Sequence, residues 1–362
     1  MRVAKPVKAA KGKINPRRSR KRPSSRRKKP MHHAKAFKPK TAGPRTSYID
    51  GRHDAIKLRE AGSLPSLEAL KLRMNESWSR RHRLNGRLSD NVLQQGRAYA
   101  DGFLDELRLS RQSWQPVKLS GSASAIVLAG REGDLKFDCL RELNRLPLQE
   151  IIVVLEDAAG RDYDALRALP GITVVHVGTA LQRDSGRSIG ARLLRTDTML
   201  FCDAHAPIPA ERLAYLLAAV DSGADVAISE TTDALGVFRK WDELSRVKAF
   251  VNWSLGRPDL LANSNSELPN AWSRRAVNLV GEAALSLPPV AQQTALYHQL
   301  NIVVCRNVHP VGNLRESGGL GVNSLAAFGH LAALKAAMDH RGGRLSHPDR
   351  VRRRGAAGGA AH

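Results

Sequence analysis

Short, unbroken apolar runs alternate with amphipathic stretches through the middle of the chain. The runs are Ala125 to Ala129 (AIVLA), Ile151 to Leu155 (IIVVL), Ile172 to Val177 (ITVVHV), Thr198 to Cys202 (TMLFC) and Asp225 to Ser229 (DVAIS). Between them lie LKFDCLRELNRL, DYDALRALP, DSGRSIGARLLRT and AERLAYLLAAVDSG, each long enough for a helix. A strand apolar at nearly every position is buried on both faces, so this alternation predicts an α/β fold with a mostly parallel central sheet flanked by helices. Sheets of that kind take ligands beyond the carboxyl ends of their strands.

The flanking segments follow other patterns. In SLEALKLRMNESWSRRHRL and SDNVLQQGRAYADGFLDELRLSR the apolar residues recur at helical spacing, and Ser66 and Ser89 stand where N-caps belong, which predicts a pair of helices. KLSGSAS, Lys118 to Ser124, reads as a linker. Past Gly312 the chain turns glycine-rich, and SLAAFGHLAALKAAMDH then predicts one more helix. The organisation expected is a basic disordered tail over 1–49, a short helical region over 50–117, an α/β domain over 118–312, a helical extension over 313–345 and a second disordered tail over 346–362.

Charge sharpens the picture of the tail. Of the 58 Lys and Arg residues, 18 fall within residues 1–49, which contain no Asp or Glu; the remainder has 40 basic against 34 acidic residues. The net charge of +24 therefore resides mainly in a segment too polar to offset its own ordering entropy. Such an arm attracts polyanions by counterion release, whether nucleic acid, lipid headgroups or an anionic polymer, without choosing among them. No zinc finger, helix-turn-helix or aromatic single-strand platform makes nucleic acid the main partner. No signal-peptide core follows the basic segment, and no apolar run approaches the ~20 residues that span a bilayer, so the expectation is a cytoplasmic protein, at most peripheral to a membrane. Cys139, Cys202 and Cys305 are far apart, without metal-type spacing, and read as reduced core residues.

The chemistry concentrates in TMLFCDAHAPIPAERL, where a buried strand runs directly into Asp203-Ala204-His205. Two such side chains just past a strand end can offer one oxygen and one nitrogen ligand to a divalent cation. A cation so held can bridge two phosphates and stabilise a departing diphosphate. The alternative on spacing alone is a carboxylate capping the following helix beside a surface imidazole.

Five segments together, SAIVLAGRE (Ser124 to Glu132), EIIVVLEDAAGRD (Glu150 to Asp162), DSGRSIGAR (Asp184 to Arg192), LFCDAH and LPNAWSRRAVNLVG (Leu268 to Gly281), resemble family 2 glycosyltransferases, which have the GT-A fold of nucleotide-diphospho-sugar transferases. Ser124, Ile126 and Glu132 match that family's opening strand, while Leu128 replaces its proline and Arg131 its asparagine. The resemblance covers roughly Ser124 to Gly312. It implies donor contacts from Ala129, Glu132, Glu156, Asp157, Arg187 and Asp203, and Mn²⁺ or Mg²⁺ held by Asp203 and His205; His309, which follows a strand, is a candidate third ligand by its position. Asp-x-His in place of the family's Asp-x-Asp also occurs in polypeptide N-acetylgalactosaminyltransferases, which share the fold. Acceptor contacts are implied for Asn270, Trp272 and Arg274. Read as residues, Trp272 fits a sugar platform or ordinary core, Arg274 and Arg275 fit phosphate or a helix face, and His309 fits a ligand or a structural histidine.

One departure bears on activity. The Glu-Asp pair that supplies the general base in inverting members falls near Leu287-Pro288, where neither residue can accept a proton, and the only carboxylate between Gly281 and Arg315 is Glu282. The catalytic base is therefore unassigned. The resemblance implies metal-dependent transfer of a sugar from a nucleotide-diphosphate donor to an unknown acceptor; the alternative is a catalytically degenerate protein of the same fold that binds a nucleotide sugar or glycan and is anchored to an anionic polymer by its tail.

Overall fold

The computed structural model describes residues 43–82, 88–110, 112–129, 136–156, 160–177, 184–309 and 320–346. Both terminal tails, except their inner ends at 43–49 and at 346, lie outside the described residues, as do Glu132 and Asp157.

Three helices precede the sheet: α1 (Pro44–Glu60), α2 (Leu67–Arg81) and α3 (Asp90–Glu106). The predicted caps form, with Ser66 Oγ accepting from Ala69 N–H and Ser89 Oγ from Val92 N–H. Leu70, Met74 and Trp78 of α2 and Tyr99, Phe103 and Leu104 of α3 fill a small core. Helix α1 was not expected, because the side chains it buries are Ser47, Gly51 and Ala55 rather than an apolar stripe. Small residues replace the stripe because the backbones of α1 and α3 touch: a Cβ added to Gly51 would lie 2.0 Å from Tyr99 O, and one added to Gly102 would lie 2.0 Å from Tyr48 O.

Lys71 on α2 is buried, its ammonium donating to Asn144 O at 2.9 Å. Burial pushes its pKa down to about 8, with Glu68 opposing the shift. Below that pH the folded protein carries the desolvated charge; between about 8 and the ordinary lysine value the unfolded chain binds the extra proton, so stability rises with pH across this window. Lys71→Met is accordingly expected to stabilise the protein near neutral pH by roughly 1–3 kcal/mol, with most of the gain gone near pH 10. Urea unfolding of both proteins at the two pH values checks this; an equal difference at both would show that the ammonium is not the cause.

From Ala123 onward strands and helices alternate: β1 (Ala123–Ala129), α4 (Phe137–Asn144), β2 (Ile151–Glu156), α5 (Gly160–Arg167), β3 (Ile172–Val177), α6 (Ser185–Leu193), β4 (Thr198–Asp203), α7 (Ala210–Asp221) and β5 (Val226–Ser229). Then follow α8 (Glu243–Ser254), β6 (Asn270–Ser273), α9 (Arg274–Val280), α10 (Pro288–Tyr297), β7 (Ile302–Cys305) and α11 (Leu320–Arg341). The seven strands lie in the order β3-β2-β1-β4-β6-β5-β7, all parallel except β6. This is the mixed, mainly parallel α/β architecture that the apolar runs predict.

Successive strand residues feed two cores. Ala125, Val127, Leu200 and Cys202 pack on one face with Leu140, Leu143, Leu213 and Leu217. Ile126, Met199, Phe201 and Ile228 pack on the other with Val251, Val277 and Ala291. On that second face α6 approaches β1 so closely that a Cβ on Gly190 would lie 2.5 Å from Ile126 Cγ2. Strand β6 was not legible as a strand: Asn-Ala-Trp-Ser is four residues long and ends at Ser273, which caps α9 by accepting from Ala276 N–H.

Candidate active site

The parallel strands place Ala129, Glu156 and Asp203 at one edge of the sheet, since they end β1, β2 and β4, which are neighbours. Asp203 is the last residue of β4, opposite Leu128 of β1. The turn after it is fixed by backbone bonds: Ala204 N–H donates to Leu128 O at 3.0 Å, and Lys136 N–H to Ala204 O at 3.2 Å. The strand thus ends where the carboxylate leaves the buried layer, and its side chain is 42% exposed.

His205 folds back onto that carboxylate. Its backbone N–H donates to Asp203 Oδ1 at 2.8 Å, and its ring Nδ1 lies 2.9 Å from the same oxygen. A ring that donates from Nδ1 to a carboxylate carries its lone pair on Nε2, the arrangement that orients metal-binding histidines. A carboxylate and an imidazole at an exposed strand end are suitable donors for Mn²⁺ or Mg²⁺. Beside Asp203 is a small pocket lined in part by Cys139, Cys202, Ile208, Leu268 and Pro269. Burial pushes the Cys139 thiol up to about 12 and raises Cys202 as well, so both remain thiols.

Several expected contacts are corrected by the structure. Arg187, expected to approach a diphosphate, is only 3% exposed and is occupied by protein. Its Nε donates to Asp184 Oδ1 at 2.9 Å, and its two terminal nitrogens donate to Asn265 O and Ser266 O, each at 3.0 Å. Trp272, expected to offer a ring to an acceptor sugar, is 1% exposed in the core beside Met199 and Val226, with which it pairs across β6, so no ring face is open to a ligand. Arg274 lies at the opposite edge of the sheet, because antiparallel β6 carries the chain away from Asp203; it donates to Leu194 O and Thr196 O. His309 turns its Nδ1 to Glu230 O at 3.1 Å, and among the described residues no group of three His, Cys, Asp or Glu side chains is arranged to hold a metal, so His309 does not join Asp203 and His205.

Asn270 is the acceptor-side residue that does reach the correct edge, paired with Phe201 two residues before Asp203. It is fully buried, its amide nitrogen donating to Asn265 O and Glu267 O, while its Oδ1 and that of Asn265 have no partner.

A buried polar layer near this edge escaped sequence reasoning. Glu230, just after β5, accepts from Thr232 N–H and Asp233 N–H, and Asn263 Oδ1 accepts from the backbone and hydroxyl of Thr231. Lys248 of α8 pairs with Glu267. Burial works against the Glu267 carboxylate, but Lys248 holds its pKa below the ordinary range, so it stays ionised and occupied. Burial, reinforced by Lys248, pushes the His330 imidazole of α11 down to about 3, and it remains neutral. No local spacing signals Asn263, Lys248, Glu267 or His330, since the partners of these come from distant segments. Glu282, the remaining carboxylate in its stretch, faces Arg274 electrostatically rather than Asp203.

A sequence comparison with curated proteins gave no match. Among solved structures, the chain is similar to glucosyl-3-phosphoglycerate synthase from Mycobacterium tuberculosis in complex with Mn²⁺, uridine diphosphate and phosphoglyceric acid, at 14% identity and a TM-score of 0.48, over 67% of this chain and 86% of that one. A mannosyltransferase from Pyrobaculum calidifontis in complex with GDP-Man and Mn²⁺ is similar at 13% identity and a TM-score of 0.40, over 80% of this chain and 87% of that one. The central part of the chain, residues 137–279, which contains β4, Asp203 and His205, matches the family model described as Glycosyl transferase family 2, the family its motifs resemble.

Proposed function

We propose that this protein is a glycosyltransferase that takes a sugar from a nucleotide-diphosphate donor and passes it to an acceptor. The observation that carries the reading is the Asp203–His205 contact at the exposed carboxyl end of β4, inside the segment that matches the family. Asp203 and His205 would hold the divalent ion, which when bound supplies Lewis-acid stabilisation of the leaving diphosphate. With its proton on Nδ1, the His205 imidazole would be oriented by Asp203 Oδ1 and would turn its Nε2 lone pair to the ion. Ala129 and Glu156 mark the neighbouring strand ends over which the nucleotide would lie. Arg187 acts behind them, tying the start of α6 to the backbone of Asn265 and Ser266. No residue is assigned as base, because Leu287 precedes and Pro288 begins α10 where the family's pair would fall.

Calorimetric titration of UDP, GDP and dTDP sugars into the full chain, with and without Mn²⁺, tests the proposal. Metal-dependent binding of one nucleotide, followed by release of its diphosphate on adding acceptors, is the expected result. Failure of every donor to bind a folded protein overturns the reading, and binding without turnover in any acceptor mixture would leave a donor-binding protein rather than a transferase.

A further inference from the structure

Helix α8 is docked against its own polarity. Ser245, Lys248 and Asn252 face inward, while Phe250 and Trp253 are 52% and 51% exposed. The polar residues are drawn in by specific partners: Lys248 by Glu267, and Asn252 by Leu261 O, Asn263 O and the Gln292 amide. What is left outside is an aromatic face. Arg246 lies one turn before Phe250, and the Phe250 and Trp253 rings are 6.3 Å apart. The segment before the helix extends the same stripe, since Val237 and Phe238 are each 61% exposed and the Arg246 guanidinium stands 6.0 Å from the Phe238 ring centroid. Arg246 also donates to Arg239 O at 3.0 Å, which draws Arg239 and its neighbour Lys240 to the border of the stripe. Asp242 and Glu243, at the start of the helix, are the acidic residues beside Arg246.

We propose that the stripe Val237, Phe238, Arg246, Phe250 and Trp253 seats the protein on the surface of an anionic lipid bilayer. Aromatic rings beside arginine suit the bilayer interface, where the rings enter the headgroup boundary and the guanidinium stays with phosphate. Charge complementarity favours lipid over a protein partner: Arg239, Lys240 and Arg246 outnumber Asp242 and Glu243, and the chain carries +24 overall, with 18 basic and no acidic residues among the first 49. Among the described residues no helix is long and apolar enough to cross a membrane, so the protein would lie on the surface. The proposal stands apart from the glycosyltransferase reading and does not depend on it.

The test exploits tryptophan exposure. Of the five tryptophans, Trp78, Trp114, Trp241 and Trp272 are buried and only Trp253 is exposed. The full chain is mixed with vesicles of phosphatidylcholine alone or with phosphatidylglycerol, and quenching of tryptophan emission by dibrominated lipid is recorded beside co-sedimentation. Expected are quenching in the anionic vesicles, its loss in Trp253→Phe although that variant still sediments, and a roughly tenfold lower partitioning of the double variant Phe238→Ser, Phe250→Ser at high salt, where attraction by the tail is screened. Sedimentation without quenching of the wild type would show that the basic tail binds alone and would overturn the proposal. So would equal quenching in phosphatidylcholine, unchanged partitioning of the double variant, or a lipid-free oligomer that the double variant dissociates, which would make the stripe a contact between copies.

Discussion

Asp203→Ala is expected to weaken metal-dependent binding of the nucleotide sugar by roughly 100-fold or more, the largest functional effect of any single substitution considered. Two losses add together. The variant removes the one carboxylate that β4 delivers to the exposed edge, and it frees the His205 ring, whose Nδ1 is held 2.9 Å from Asp203 Oδ1. Because Asp203 Oδ1 also accepts the His205 backbone N–H at 2.8 Å, alanine perturbs the turn as well. Asp203→Asn separates these effects: its amide oxygen still accepts that N–H, so the turn survives while the negative charge is gone. Binding by the asparagine variant should fall nearly as far as by the alanine variant, with an unchanged melting temperature. His205→Ala should cost less, about 10–100-fold, since the carboxylate remains. Calorimetry with Mn²⁺ present and absent reads all three, and an asparagine variant that binds like wild type would remove Asp203 from the site.

Arg187→Met should produce the largest loss of stability, about 3 kcal/mol, because it removes a buried guanidinium that serves three acceptors at once. Asp184, Asn265 O and Ser266 O all accept from that one guanidinium, and of these Asn265 O keeps a second donor in the Asn270 amide. Methionine keeps the unbranched apolar stem but ends short of the guanidinium that stands over the Phe201 ring, so the deficit includes a packing loss beside the polar contacts. Lysine has one nitrogen and cannot span the same three acceptors, so Arg187→Lys should recover only part of the loss. Urea unfolding gives the difference directly. Should Arg187→Met unfold like wild type but fail to bind donor, the guanidinium would have to leave its protein partners for the ligand, and the positioning role argued above would be wrong.

The two experiments bear on residues of contrasting legibility. Asp203 was readable because the signal is local: an apolar run of strand length ends at a carboxylate, and a parallel sheet exposes the ends of its strands. The α/β alternation, the strand positions, the Ser66 and Ser89 caps and the family resemblance are local in the same sense, and the structure and the match over residues 137–279 agree with them.

The fate of the other candidates depended on partners far away along the chain. Arg187 is consumed by carbonyls 78 and 79 residues distant, so nothing within DSGRSIGAR could reveal that it is unavailable to a diphosphate. Trp272 became core, and Arg274 was sent to the far edge, because β6 inserts antiparallel between β4 and β5, a pairing that a four-residue strand does not announce. Helix α1 was hidden because its contact with α3 is made by glycine and small residues, which carry no hydrophobic period. The sequence by itself determined the alternating strands and helices of the parallel part of the sheet and where a cation-binding pair could stand, since periodicity and strand ends are properties of neighbouring residues. Only the tertiary structure decided which of the expected site residues remain available to a ligand, because a buried polar group takes whichever partner the packing of distant segments brings to it.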